Sequence, residues 1–450
     1  LAFIKRKISC FLSITTLCIC LFHVLDLYAN SSKSTTTKPP TSSNHPGKVA
    51  TTSISSNPAA VNVTIGSGII QRYIEKKLGI HDNHGIEVQG VWIGDTNGLA
   101  SGGIPEAKKS TSNSVGLVNL TIDTQRFNGW KGGLFSAQFL QQNAQNTNGQ
   151  AGIIQGYNSL PDVAPYNRSE LYALWYRQAL FDDRLFIKIG KTITTLDFNN
   201  VIKPVNIARG DPNIPAVTSL IYTPVFINPT LVGVMPGYTN SAYGITATYT
   251  PVKQWYLSYG VYDGNLANGK QTGLTGPTFN GNYFHVGETG SAWLLGGKPG
   301  TAGIGLWHQA GLIQQNNLTE VSATGAYLFG SQRLWYRHPG YDISGVSAFY
   351  QYGVNNSSVL PMKQSVGAGL TAFGLVANRD SDSIGGGFSL AWLNQKITNR
   401  KTELMFQLYY QAKILSNIYL EPAISYIPDP GQNTNLNSAA AGTLRAIALF

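Results

Sequence analysis

The strongest signal along this chain is an alternation with a period of two. In "TELMFQLYYQAK" (402–413), Leu404, Phe406, Leu408, Tyr410 and Ala412 alternate with Glu403, Met405, Gln407, Tyr409, Gln411 and Lys413. A pleated strand sends successive side chains to opposite faces, so one face is apolar and the other polar. The same pattern predicts sixteen strands: 85–95, 114–125, 132–142, 170–180, 184–191, 241–250, 254–263, 283–295, 303–314, 322–336, 343–353, 364–376, 383–394, 402–413, 417–428 and 440–450. Before them, "GIIQRYIEKKLG" groups Ile69, Ile70, Tyr73, Ile74 and Leu78 at helical spacing, with Gly79 as a stop.

Connections between the strands come in two kinds. Several are short and rich in turn formers, such as "FNGWKG", "LFDDR", "TPVKQ", "GKPGTA", "HPGYD", "NRDSD" and "ILSN". Most of the others are longer and polar: 96–113, 143–169, 192–240, 264–282 and 429–439. Their alternation places tight turns at one end of an antiparallel sheet and long loops at the other. A sheet of about 16 strands is relieved of its unpaired edges by closing on itself. The expectation is therefore all-β: a transmembrane antiparallel barrel of about 16 strands with a short N-terminal helix. Its apolar face meets lipid and its polar face lines the lumen.

Pleat parity then assigns sides. Leu185, Ile187 and Ile189 go outward, against Arg184, Phe186 and Lys188 inward. Trp130, Trp255, Tyr256 and Tyr426, near strand ends, are expected in the aromatic girdles at the membrane interfaces. At the C-terminus, Leu444, Ala446, Ala448 and Phe450 share the lipid face. A terminal aromatic in that phase resembles the signal read by the barrel-assembly machinery. A water-soluble propeller or sandwich is the competing architecture, but blade-length repeats are missing.

The first 84 residues are different. Lys5, Arg6 and Lys7 precede the apolar run "ISCFLSITTLCICLFHVL", and Ala29 stands at a plausible cleavage point, so 1–29 reads as a signal peptide. The run is long enough to weigh as a membrane anchor; no later stretch is. Residues 30–67 form a Ser/Thr/Pro-rich linker with little to bury, 68–84 a short periplasmic helix or plug, and 85–450 the barrel. All three cysteines (Cys10, Cys18, Cys20) lie in the leader, so the remainder has neither disulfides nor thiolate chemistry.

Charge adds less. The formal net charge is +10, and the leader's net +2 (Lys5, Arg6, Lys7 against Asp26) leaves +8. The 32 Lys and Arg are scattered and no basic run follows the leader, which argues against nucleic acid and for a weak positive field in or around the protein.

Several segments carry a family resemblance: "KKLGIHDNHGIEVQGVWIGDTNGLASGG" (76–103), "LTIDTQRFNGWKGGLFSAQFLQQNAQNTNG" (120–149), "ELYALWYRQALFDDRLFIKIGK" (170–191), "SAYGITATYTPVKQWYLSYGVYDGN" (241–265), "FGLVANRDSD" (373–382) and "TELMFQLYYQAKILSNIYLEPAISYIPDPG" (402–431). In this order and spacing the chain resembles the carbohydrate-selective porin family (OprB-like) over nearly all of 68–450. It departs at "GSGIIQRY", where that family usually has Trp-Gly-Gly, and its Ser/Thr-rich leader is long. The resemblance implies a 16-stranded channel that lets sugars such as monosaccharides diffuse passively across the outer membrane of a Gram-negative bacterium. It also implies inward-folded extracellular loops.

A neutral, hydroxyl-rich solute asks for paired donors and acceptors beside an apolar surface. Loop 192–240 is the natural constriction because loops of that length are usually functional or disordered; it carries Asp197, Lys203, Arg209 and Asp211. The preceding hairpin adds Arg177, Arg184 and Lys188, with Trp175 and Phe186 as stacking surfaces. Glu403, Glu421 and Arg445, on consecutive strands, form a charged track on the lumen side. The bland alternative is that these charges pair across the lumen and stiffen the wall.

Enzyme signals are poor. "GNLANGKQ" (264–271) misses a phosphate loop at Gln271, His81 and His84 have no supporting cluster, and Gly-x-Ser-x-Gly and His-Glu-x-x-His are missing. No catalytic residue, cofactor or metal is expected. Two readings compete with a sugar channel: a broad or anion-preferring porin and, more distantly, an outer-membrane barrel enzyme or adhesin. Expected partners are sugars, outer-membrane lipid and the assembly machinery acting through Phe450, with the protein a monomer or homotrimer.

Overall fold

The computed structural model of the chain describes residues 85–450 apart from 127, 161–164, 203–216, 237–239, 253, 265–275, 316 and 340–341. The expected helix at 68–84, the linker and the leader lie outside the described residues. The first eight strands are β1 (Ile86–Ser101), β2 (Ser110–Asp123), β3 (Gly133–Asn143), β4 (Asn167–Leu180), β5 (Leu185–Thr192), β6 (Ala242–Val252), β7 (Trp255–Asp263) and β8 (Tyr283–Leu295). The rest are β9 (Lys298–Gln315), β10 (Leu318–Tyr336), β11 (Gly345–Asn355), β12 (Met362–Phe373), β13 (Ser383–Leu393), β14 (Thr402–Leu415), β15 (Ile418–Ile427) and β16 (Ala439–Leu449).

Each strand pairs antiparallel with the next, and β16 pairs back onto β1, so all sixteen close into one barrel. Every strand segment expected from the alternation is present, with ends shifted by six residues at most. Among the described residues no helix is long and apolar enough to cross a membrane.

Side assignment follows the pleat. Gln407 stands opposite Ser425, and Leu408 opposite Ile424, on β14 and β15. The first pair is 1% exposed at both residues, the second 65% and 66%. One step along the chain therefore exchanges a packed interior for an apolar outer surface, the arrangement a lipid-facing barrel requires.

The tight turns at 181–184, 296–297 and 416–417 lie at one end. Gly296 and Gly297 have φ of 57° and 75°, the two left-handed positions of a two-residue hairpin turn, where glycine avoids Cβ strain. The opposite end carries the long connections 144–166, 193–241 and 264–282, but also three short ones at 316–317, 356–361 and 394–401. The seam closes at the tight-turn end. Gly90 and Phe450 exchange two backbone hydrogen bonds (2.5 and 2.9 Å), and a Cβ on Gly90 would meet the Phe450 ring at 2.1 Å.

Trp130, Trp255 and Tyr426 are exposed on the outer surface, as are Trp293 and Trp335. Tyr256 corrects the expectation. It directly follows Trp255, so the pleat turns it inward, where its hydroxyl donates to Glu288 Oε1 at 2.7 Å.

Candidate functional site: the barrel lumen

Two long loops fold into the barrel. Loop 144–166 contains the one-turn helix α1 (Thr147–Ala151), and loop 193–241 contains α2 (Thr194–Asp197) and 3-10 turns at Thr223–Val225 and Pro229–Leu231. Their apolar side chains, among them Ile153, Tyr157, Phe198, Ile221, Tyr222 and Leu231, are buried in one cluster with inward residues of the wall such as Tyr262, Phe284, Trp307, Tyr327, Phe349 and Met405. A loop deprived of water must find partners for its backbone amides. Here the polar lumen side chains supply them.

Glu403 on β14 takes the amides of Ile154 (2.9 Å), Gln155 (2.8 Å) and Gly431 (2.6 Å). Gln407, two pleat repeats on, accepts from Ile221 (2.7 Å) and Tyr222 (3.1 Å) and donates to the Tyr157 carbonyl (2.9 Å). It thereby holds both loops at once. The loops also bond each other directly, Ser159 to Ile221 (2.9 Å) and Thr223 to Gly156 (3.0 Å).

Further around the wall, Glu288 on β8 accepts from the Asn199 amide (2.7 Å), Tyr256 (2.7 Å) and Tyr327 (2.8 Å). On β11, Gln351 donates to the Pro224 carbonyl (2.7 Å) and Asn355 to Thr230 (2.9 Å). Burial pushes the phenols of Tyr157 and Tyr222 well above their ordinary range, and Asp95 adds to the effect at Tyr157. Both remain neutral.

Glu421, Arg445 and Asp95 stand opposite one another on β15, β16 and β1. Arg445 is engaged by Asp95 through two parallel bonds of 2.8 Å, and Asp95 also accepts from Asn158 of loop 144–166 (2.7 Å). Glu421 accepts from Gln411 (2.7 Å). Glu403, Glu421 and Arg445 are all buried; loop amides engage Glu403 and Asp95 engages Arg445, while Glu421 Oε1 has no hydrogen-bond partner.

The β2–β6 sector differs. At its long-loop rim Asn113 and Gln142 bind the loops, and Arg168 and Lys191 flank Glu170 at 3.5 Å each. Below the rim, Asn119, Thr121, Gln138, Trp175, Arg177 and Lys188 are half-buried and retain water access. Phe186 is buried beneath Arg177, whose guanidinium lies 5.2 Å from its ring, and the Lys188 ammonium lies 5.4 Å from the Trp175 ring. Lys188 also binds Asp197 of α2, which ties the start of loop 193–241 to this face. Gln138 Oε1 and Arg177 Nε have no hydrogen-bond partner.

The structure thus brings Trp175, Arg177, Phe186, Lys188 and Asp197 together. Arg184 is not with them: it is exposed in the β4–β5 turn, one residue before β5 begins. Lys203, Arg209 and Asp211 lie outside the described residues. The loop anchors Gln407, Glu288 and Asp95 were not singled out from sequence, although inward parity marks each of them.

The profile of the carbohydrate-selective porin, OprB family, matches residues 111–450. The chain belongs to that family. Two solved structures of Pseudomonas putida OprB share the fold. The high-pH form has a TM-score of 0.70 at 16% identity, covering 84% of this chain and 97% of that one. The low-pH form has a TM-score of 0.54 at 14% identity, covering 85% and 98%. No curated protein matches. As an OprB-family porin the chain is a channel of the Gram-negative outer membrane that serves carbohydrate uptake, and it is not an enzyme.

Proposed function

We propose that sugars of monosaccharide size diffuse passively along the β2–β6 face, with loop 193–241 narrowing the lumen opposite. The supporting observation is the water-accessible cluster of Trp175, Arg177 and Lys188, set against polar lumen residues elsewhere that are engaged by loop backbone. The Trp175 ring offers a surface for the apolar face of a pyranose. The Arg177 fork donates to neighbouring hydroxyls. Asn119 and Gln138 supply neutral donors and acceptors, as weak multi-site binding requires.

In this reading Glu403, Glu421 and Arg445 shape the pore without touching solute. Lys203, Arg209 and Asp211 act from the same loop as Asp197, and Arg184 acts at the periplasmic mouth. The exposed apolar outer face meets lipid, and the leader 1–29 is removed on export. Phe450, in phase with the lipid face, is read by the assembly machinery. Crosslinking in native membranes separates a monomer from a homotrimer.

Liposome swelling with glucose, a disaccharide and an amino acid of similar size tests the proposal. Glucose is expected to enter fastest, and equal rates for all three neutral solutes would remove sugar selectivity. A second reading, anion preference, draws on the net charge of +10 and on the half-buried, lumen-facing Arg177 and Lys188. A reversal potential favouring chloride would promote it.

A further inference from the structure

Among the described residues, the outer surface carries a pair of imidazoles that neither lipid contact nor the solute path accounts for. His285 on β8 and His308 on β9 stand directly opposite each other. Both belong to the outward parity: their chain neighbours Phe284, Val286 and Trp307 are buried inside, while Leu306 beside His308 is exposed. An imidazole facing lipid invites an explanation, since hydrocarbon offers it no partner.

Each ring is held through the same atom. His285 Nδ1 bonds the Tyr259 hydroxyl on β7 at 2.9 Å, and His308 Nδ1 bonds the Thr324 hydroxyl on β10 at 3.0 Å. The two Nδ1 edges therefore turn away from one another, toward the outer neighbours of the β8–β9 pair. The opposite edges, bearing Nε2, turn toward the shared gap. The ring centroids are 6.3 Å apart at an interplanar angle of 34°. Two imidazoles on one tetrahedral zinc, with Zn–N about 2.0–2.1 Å, place their centroids roughly 5 Å apart. A side-chain adjustment of about 1 Å closes the difference.

We propose that His285 and His308 form a two-imidazole site for a divalent transition cation of the zinc, nickel or copper class. Imidazole nitrogen suits these ions over magnesium or calcium. A ring whose Nδ1 is tied to oxygen is the usual form of a metal-binding histidine, because that bond fixes both tautomer and direction. Among the described residues no third His, Cys, Asp or Glu joins the pair, so water completes the coordination.

Position makes the site reachable. From His285 to the exposed Trp293 is eight residues of tilted strand, roughly 20 Å along the membrane normal. The apolar band of such barrels is about 25 Å tall, which puts the histidines at its extracellular edge, where water has access. A bound ion would clip β8 to β9.

The test uses full-length, untagged protein in detergent, titrated with Cu2+ under electron paramagnetic resonance and with Zn2+ in a calorimeter. The expected result is one equivalent whose copper spectrum shows two nitrogen ligands. Affinity should fall about tenfold or more in His285→Ala and in His308→Ala separately, and stay unchanged in His338→Ala. Heat-modified gel mobility checks that each variant is folded. A fall in Tyr259→Phe, which keeps both imidazoles but loosens one, would support the orienting role of the hydroxyl. Full affinity in either histidine variant, or a copper spectrum with fewer than two nitrogens, overturns the proposal.

Discussion

The two sides of this lumen use similar residues for opposite ends. On β14, Glu403 and Gln407 have no water to face, because their polar atoms bind amides of two inward loops. On β4 and β5, Arg177 and Lys188 lie over aromatic rings and remain half-buried. Both sets are polar, inward and in phase with the pleat. What separates them is how much of the loops lies across them: Glu403 and Gln407 hold backbone amides of both, while on the other wall only Asp197, at the start of loop 193–241, reaches Lys188. A charge facing the lumen therefore has no fixed meaning: it builds the constriction on one wall and borders the solute on the other.

Arg445→Leu should give the largest effect on this contrast. It leaves Asp95 buried without its cation, a change that costs about 3–5 kcal/mol. The expected readout is a lower unfolding temperature with looser docking of loop 144–166, seen as faster proteolysis of that loop. Unchanged stability would mean that the docked wall is less tightly packed than its hydrogen bonds imply.

Glu403→Gln comes next. It keeps the shape but replaces a carboxylate that serves three amides with a group that has one acceptor oxygen, at about 1–3 kcal/mol. Single-channel conductance should rise or become noisy as the loops loosen, while preference among sugars survives. A selective loss of sugar preference with the loops still docked would place Glu403 on the solute path instead.

Smallest in stability, and most specific, are Trp175→Ala and Arg177→Ala. Both lie on the water-accessible side, so unfolding should shift by no more than about 1 kcal/mol. Glucose flux should fall relative to an amino acid of the same size. Equal slowing of both solutes would reduce the pair to a steric role.

The barrel was legible because strand periodicity is local. The alternation at 402–413 or 417–428 records which side each residue takes, and tight turns such as Gly296–Gly297 record where the chain reverses. Errors came at strand ends, where one residue decides the face. Tyr256 follows an outward Trp255 and so points inward, and Arg184 stands in the turn before β5 rather than in the strand.

Docking of the loops was not legible. Gln407 and Gln411 look equivalent in the alternation, yet Gln407 bonds loop backbone 186 and 250 residues away while Gln411 meets Glu421 on the next strand. No periodicity reports contacts at that separation. Charged residues drew attention where the amides Gln155, Asn158 and Gln407 do much of the anchoring. For the same reason, the length of 192–240 marked it for attention, while the inward path of 144–166 had no signal of its own.

Thiol accessibility tests the central claim most directly. With Cys10, Cys18 and Cys20 replaced by serine, single cysteines are placed at Arg177→Cys on β4 and Ser425→Cys on β15, and a charged, water-soluble thiol reagent is added to an open channel in a planar bilayer. The prediction is rapid reaction with a drop in conductance at position 177 and none at position 425, which lies behind Gln407 and the docked loops. Rapid block through position 425, with position 177 silent, would place the solute path on the other wall and contradict the account.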